Sequence, residues 1–187
     1  MKHFLLCAVA IILTQTAFAQ KDTVGLNIPV KDGAVVYEKV LEVAGKSEPD
    51  LFRNASKWIV DYFSGSKDIL LDAGKNDGMV AGKGKLPVPF KGALGTVVYY
   101  DDKLSIEIDC KDNKCRLRIY SQLLSSPRSE YGQVITTPEE LIAKLLETGK
   151  SQLNNKQARR MLQSMNDTIG DVIQSFNKAM LVKTGDF

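Results

Sequence analysis

Two cysteines near the middle of the chain constrain its fold more than any other feature. Cys110 and Cys115 flank a short polar loop, and apolar residues alternate with polar ones on both sides of it. If the two cysteines face each other, antiparallel pairing fixes the register of both strands. That register forms two apolar pairs on one face and two pairs of opposite charge on the other: Ile108 with Leu117, Ile106 with Ile119, Asp109 with Arg116, and Glu107 with Arg118. The sequence therefore predicts a hairpin with one buried and one solvated face.

Four strands are expected before Cys115, from alternating or β-branched runs bounded by turn residues. They cover residues 34–44, 68–73, 79–86 and 96–110. Pro87 and Pro89 cannot donate to a strand ladder, so we expect sheet pairing to stop before them. Asp101 and Asp102 are expected to kink the last of these strands without ending it, because apolar residues keep one parity on both sides of the pair.

Helix-start signals precede two apolar stripes. Ser47 and Thr137 are each followed by a proline and, three residues on, by an acidic residue, as at helix N-termini. A longer helix is expected over residues 155–181, where apolar side chains recur at near-heptad spacing. The order of one strand, one helix, four strands and then helices predicts an α+β protein, with a mainly antiparallel five-stranded sheet and helices packed on one face.

The first 19 residues have the pattern of a secretory leader. A basic start at Lys2 precedes an apolar run over residues 4–13, and Ala17 and Ala19 supply the small residues of a signal-peptidase site. That run is shorter than the roughly 20 residues a membrane-spanning helix needs. We therefore expect a periplasmic or secreted protein, cleaved after Ala19, with no membrane span.

Loss of this leader would narrow the chemistry open to the protein. His3 is the only histidine, so cleavage removes imidazole catalysis and histidine metal ligation. The chain has 25 basic and 22 acidic residues, and this near balance gives no sign of a nucleic-acid-binding face. We therefore expect no enzymatic activity, no metal, no cofactor and no nucleic-acid partner.

The pattern resembles small exported bacterial proteins that carry a domain of unknown function with a TATA-binding-protein-like fold. The segments that carry the resemblance are 36–40, 45–47, 58–59, 67–71, 82–84 and 97–116. The resemblance implies a sheet-and-helix domain outside the cytoplasm and no established activity, so it supplies no catalytic residues. It does not imply DNA binding, because a fold does not determine a function.

These observations divide the chain into four parts. They are a signal peptide (1–19), a mobile lead-in (20–33), the TBP-like domain (34–124), and a loop with C-terminal helices that pack on that domain (125–187). In an oxidising compartment, Cys110 and Cys115 could form a disulfide across the hairpin. The alternative is a pair of buried free thiols.

Two hypotheses for function come first, both of them binding roles, and an enzyme that uses carboxylates alone comes last. The first is an interaction module whose partner docks on the near-heptad seam of the last helix; the alternative is that this seam covers the protein's own sheet. The seam residues are Leu162, Met165, Ile169, Val172 and Phe176. The second is a carrier of a small apolar ligand held between the sheet and the helix with Trp58, Tyr62 and Phe63, for which ordinary core packing is the alternative. The identity of the partner and the oligomeric state are not predicted.

Overall fold

The sheet and helices described below come from a computed structural model. It describes residues 25–64, 72–74, 78–92, 95–130, 132–147 and 152–182. The strands within these ranges are β1 (Val30–Lys31), β2 (Ala34–Val35), β3 (Tyr37–Glu42), β4 (Asp72–Gly74), β5 (Met79–Lys91), β6 (Val97–Lys111), β7 (Lys114–Ser125) and β8 (Ile135–Thr136). The helices are α1 (Glu48–Tyr62), α2 (Pro138–Leu146) and α3 (Gln152–Leu181).

The main sheet is antiparallel and five strands wide, in the order β3-β7-β6-β5-β4. The short β8 adds to β7 beyond the end of β3, where Leu124 faces Thr136. Strands β1 and β2 form a separate two-stranded ribbon. The predicted α+β class and antiparallel sheet are confirmed.

The predicted hairpin register is confirmed at every pair. Cys110 faces Cys115, and both apolar pairs and both charged pairs form as expected. Arg116 and Asp109 are 2.6 Å apart, and Arg118 and Glu107 are 2.7 Å apart, on the solvated face. The turn itself is shorter than the predicted loop, because Lys111 and Lys114 already pair with each other.

The prediction that Pro87 and Pro89 end sheet pairing is wrong. Strand β5 continues through both prolines to Lys91, with Pro87 opposite Asp101 and Pro89 opposite Tyr99. Among the described residues, β4 pairs with residues 79–81 and no strand pairs with the outer edge of β5 beyond them, so β5 is an edge strand at both prolines. The two prolines share one parity, so their missing N–H groups face the open edge and no ladder hydrogen bond is lost. The Pro89 carbonyl also faces outward, where it accepts a hydrogen bond from the Ser164 hydroxyl.

The lead-in and the first strand also differ from expectation. Ile28 is buried and Val30 pairs with Val35, so the described part of the predicted mobile lead-in, residues 25–33, is part of the folded structure. The predicted strand 34–44 is interrupted at Val36, whose N–H bonds to the Pro29 carbonyl. Of the strand expected over 68–73, the described part is β4, and residues 68–71 lie outside the described ranges.

One irregularity divides the β6–β7 ladder. Lys103 pairs with Leu123 whereas Ser105 pairs with Tyr120, so β7 contains one more residue than β6 between these pairs. This is a β-bulge, in which Ser121 and Gln122 lie opposite the single residue Leu104. Ser121 has a positive φ of 54°. Strand β6 is continuous through Asp101 and Asp102, so the irregularity lies in the facing strand and not at the predicted kink.

The helices cover one face of the sheet and enclose the core. Helix α1 packs on β5, β6 and β7, while α3 packs on β5, α1 and α2. The Ser47 and Thr137 caps form as predicted, with each hydroxyl accepting a hydrogen bond from the third helical N–H. Gly84 lets α1 approach β5, because a Cβ at that position would lie 2.5 Å from the Phe63 ring.

Candidate functional site: a cleft between the sheet and the C-terminal helices

A cleft opens where the C-terminal end of β5 and the N-terminal end of β6 meet α2 and α3. Its volume is about 330 Å³, which is within the range of small-molecule sites. The residues that line it are Phe90, Tyr100, Val134, Thr136, Leu141, Lys144, Asn155, Gln157, Ala158 and Met161. These residues lie on or beside β5, β6, β8, α2 and α3. The cleft therefore depends on how these five elements pack together.

The apolar floor comes from the sheet and from the inner sides of both helices. Phe90 and Tyr100 stand edge to face, with ring centroids 5.8 Å apart, and both are only partly buried. Leu141, Ala158 and Met161 are buried beneath the helices. Two partly accessible aromatic rings beside a buried aliphatic wall favour an apolar or ring-bearing ligand.

Helix α2 is held at the cleft by hydrogen bonds at its N-terminus. The Thr136 hydroxyl donates to the Glu140 carboxylate at 2.9 Å, and the Thr137 N–H donates to the same carboxylate. These two bonds, the Thr136 bond first, lower the pKa of Glu140. The Val35 N–H donates to Glu139 at 2.7 Å, which ties the helix to the N-terminal ribbon. The first turn of α2, which forms part of the cleft wall, is therefore held by two bonds to Glu140 and by one bond from the N-terminal ribbon to Glu139.

The polar groups of the cleft can orient a ligand. The Asn155 side-chain oxygen is buried and has no hydrogen-bond partner among the described residues, which is costly unless another molecule supplies a donor. Lys144 is an exposed cation at the rim. Among the described residues, no group of three or more His, Cys, Asp or Glu side chains could hold a metal ion.

The predicted ligand-lining aromatics lie elsewhere. Trp58 and Phe63 are 5% and 2% exposed. They belong to the core, which was the alternative to a ligand site. Tyr62 is partly exposed and lines, with Trp58, a groove of about 380 Å³ between α1 and α3. This groove is on the outer side of the helices and not between helix and sheet. The Trp58 indole N–H already donates to Ser175 at 3.1 Å.

The predicted partner seam lies in the protein's own core. Its five residues, Leu162, Met165, Ile169, Val172 and Phe176, are each 0% exposed. The side of α3 that carries them packs on the sheet and on α1, so it offers no surface to a second chain in this fold. The alternative that the seam covers its own sheet is the one the structure shows.

The two cysteines are buried neighbours with the predicted register. Their sulfur atoms are 3.0 Å apart and are present as thiols, since a disulfide bond is about 2.05 Å long. The hydrogen bond with Cys115, and then burial, raise the pKa of Cys110. Cys110 therefore lacks the lowered pKa of a reactive cysteine.

The sequence contained partial signals for this cleft. Tyr100 has the parity of the buried face, but Phe90 follows the two prolines and was expected outside the sheet. Asp102 shares that buried parity as well, and it is fully buried two residues from Tyr100 along β6.

No described helix of the structure has the length and apolar character needed to cross a membrane.

Comparison with known proteins adds a family and a fold. Residues 37–121 match the model of a domain of unknown function, DUF4468, with a TBP-like fold. A crystal structure of a DUF4468 family protein from Bacteroides ovatus superposes with a TM-score of 0.60 at 21% identity, covering 82% of this chain and 91% of that one. A TBP-like protein from Parabacteroides distasonis gives a TM-score of 0.57 at 17% identity, covering 80% and 96%. No curated protein matches the chain. Residues 37–121 are therefore similar to the DUF4468 domain, and the two superpositions show that the chain has the TBP-like fold.

Proposed function

We propose that this protein is a non-enzymatic binding protein that holds a small amphipathic molecule in the cleft between its sheet and its C-terminal helices. The observation that carries the proposal is the combination of accessible aromatic rings with the buried, unpartnered oxygen of Asn155. A hydrogen-bond donor on a ligand would satisfy this oxygen while the apolar part of the ligand covers Phe90 and Tyr100.

The charge at the rim favours an anionic ligand. Lys144 lines the cleft, and no carboxylate is among the residues that line its described part. Its described walls contain the Thr136 hydroxyl, the Tyr100 phenol and the Lys144 amine, but no carboxylate, thiol or imidazole lines the cleft beside them to activate a nucleophile. Binding is therefore better supported than catalysis. The burial of the α3 seam also makes a small ligand better supported than a protein docked on that seam.

A fluorescent probe can test the site with a pair of matched variants. The anionic dye 8-anilinonaphthalene-1-sulfonate should bind the folded protein with an emission blue shift. Ala158→Leu places a larger side chain in the cleft, while Ala179→Leu does the same in the α1–α3 groove. We expect the first variant to lose most of the dye signal and the second to keep it. Lys144→Glu should weaken binding about tenfold if the rim charge contributes about 1.4 kcal/mol.

Other outcomes would contradict the proposal. Loss of dye binding in Ala179→Leu alone would place the site in the α1–α3 groove, and an absent signal in the wild type would mean that the cleft holds no such ligand. Circular dichroism of each variant serves as the folding control.

We also propose that the protein acts outside the cytoplasm. The supporting features are the basic start, the apolar run and the small residues before Gln20. Expression of the full chain in a bacterial host, followed by fractionation and N-terminal sequencing, should give a periplasmic or secreted product that begins at Gln20. An intact leader on a cytosolic product would contradict export.

A further inference from the structure

Asp102 is a carboxyl group in the core of the protein. It is 0% exposed on the helix-covered face of β6, where Leu86 of β5 and Leu124 of β7 flank it across the sheet. A carboxylate in such surroundings loses most of its hydration, which costs several kcal/mol unless charged or hydrogen-bonding partners replace the water.

The main side-chain partner of Asp102 is supplied by the bulge in β7. Ser121 and Gln122 together face Leu104, and the extra residue turns the Gln122 side chain toward the core. Gln122 is 4% exposed, and its amide nitrogen donates to Asp102 Oδ2 at 2.9 Å. The left-handed backbone of Ser121 is a cost of this arrangement.

The hydrogen-bond inventory of this pair is incomplete. Asp102 Oδ1 and Gln122 Oε1 are both buried, and neither has a partner in the structure. Both atoms are acceptors when Asp102 is ionised, so they cannot satisfy each other. A single proton on Asp102 Oδ1 changes this, because the resulting O–H group can donate to Gln122 Oε1.

We propose that Asp102 is a neutral carboxylic acid in the folded protein and forms a two-hydrogen-bond acid–amide pair with Gln122. The pair is a proton-binding site inside the core. The proton comes from solvent and returns to it, and no other group changes its bonding. Since Asp102, Leu124 and Thr136 face one another on successive strands, the site lies beside the wall of the cleft but does not depend on a ligand there.

The electrostatic surroundings support a neutral acid. Burial raises the pKa of Asp102 from 3.8 to about 7, although the bonds from Gln122 and the Leu123 backbone lower it. The titratable groups near Asp102 on this face are Tyr37 of β3 and Asp167 of α3. Asp167 and Asp102 both raise the pKa of Tyr37, after the larger effect of burial. Strands β5 and β7 contribute the apolar or neutral residues already described. None of these groups is a cation that would hold Asp102 ionised.

The raised pKa fixes the sign of the pH effect. The folded protein binds the Asp102 proton more tightly than the unfolded chain, so the contribution of this group to stability is greatest below pH 3.8 and is lost as pH rises through about 7. Loss of the whole contribution corresponds to an increase of up to about a thousandfold in the unfolding equilibrium constant. The pKa of Glu140 is lowered, so its contribution to stability is lost as pH falls, and this happens only at acidic pH.

The test is urea unfolding of the full chain from about pH 5.5 to about pH 8, where ordinary carboxyl groups stay ionised. The wild type should lose stability across this range. Asp102→Asn keeps the shape of the acid and carries no titrating proton, so its stability should be nearly constant. Asp101→Asn is the matched control, because Asp101 is exposed and pairs with Lys85 at 3.3 Å. It should keep the wild-type pH dependence.

Two results would overturn the proposal. One is a wild-type stability that does not fall across this range. The other is an Asp102→Asn variant that keeps the wild-type slope. If that variant does not fold, a carbon-13 titration of the wild-type aspartate carboxyl groups gives the answer. One carboxyl resonance should titrate near neutral pH, and its absence would show that Asp102 is ionised.

Discussion

The two ends of the β6–β7 ladder satisfy their polar groups in different ways. At the hairpin end, charged pairs lie on the solvated face and the turn bonds to the rest of the fold: the Glu48 N–H donates to Asp112 at 2.8 Å, and the Gly45 N–H donates to Asn113 at 2.7 Å. At the far end, beyond the bulge, Asp102 and Gln122 are buried with an unpartnered oxygen on each side chain. The same two strands therefore form a regular, fully bonded end and an irregular, incompletely bonded end.

This difference indicates where function lies in the fold. Strain and buried polar groups reduce stability, and they concentrate at functional sites in many proteins. The bulge and the buried acid occur at the far end of the ladder, beside the cleft. The hairpin end has a groove of about 340 Å³, lined by Val40, both cysteines and four charged residues, but it has no bulge and no buried carboxyl group among the described residues. The far end is therefore the part of the protein that we expect to respond to ligand and to pH.

The largest expected difference between the two ends is in core truncations. Leu117 and Leu124 are both 0% exposed and both on β7, one on each side of the bulge. Leu117→Ala should lower the free energy of unfolding by about 3–5 kcal/mol, because the regular hairpin end cannot collapse around the cavity. Leu124→Ala should cost about 2–3 kcal/mol, since the walls beside the cleft have room to relax. Urea unfolding measures both, and an equal or reversed order would contradict the comparison.

A smaller effect is expected from oxidation at the hairpin end. The Cys110 N–H bonds to Gly78 of the β4–β5 connection and away from β7, so Cys110 and Cys115 form a non-hydrogen-bonded pair, whose side chains lie closest. A disulfide formed here by an added oxidant should stabilise the protein by about 2 kcal/mol or less, because the closed loop is short. Unfolding with and without reductant measures the gain.

The control for the disulfide is Cys115→Ala, whose stability should not respond to reductant. If thiol titration of the unfolded, non-reduced wild type detects both cysteines as reactive, the bond does not form. The far end contains no cysteine, so its pH response should be the same in the oxidised and reduced proteins.

The hairpin end could be predicted from sequence because all its determinants are local. Alternation fixed which residues of each strand face the core, and opposite charges selected the same register as the cysteines. The cap residues Ser47 and Thr137 were recognisable for the same reason, since a cap uses only the next three residues.

The far end could not be predicted because its determinants are tertiary. Whether Pro87 and Pro89 interrupt a sheet depends on which edge of β5 is open, and that depends on how far β4 extends. The bulge could not be recognised from the alternation of apolar and polar residues. Leu123 and Leu124 are both apolar, so the sequence does not show which of them continues the buried face. The parity of Asp102 did indicate burial, but its partner Gln122 lies beyond the bulge.

The smallest predicted effects compare the two residues of β6–β7 that have a positive φ, one at each end. Asn113 in the turn has φ 63° and Ser121 in the bulge has φ 54°. Ser121 is exposed, so Ser121→Gly should relieve backbone strain and stabilise the protein by about 0.5 kcal/mol. Asn113→Gly removes the oxygen that accepts the Gly45 N–H and should destabilise it by about 1 kcal/mol, although the backbone becomes easier to form. Thermal unfolding resolves the two signs. If both variants were stabilising, the hydrogen bond at the turn would contribute little, and the two ends would not differ in the way the structure indicates.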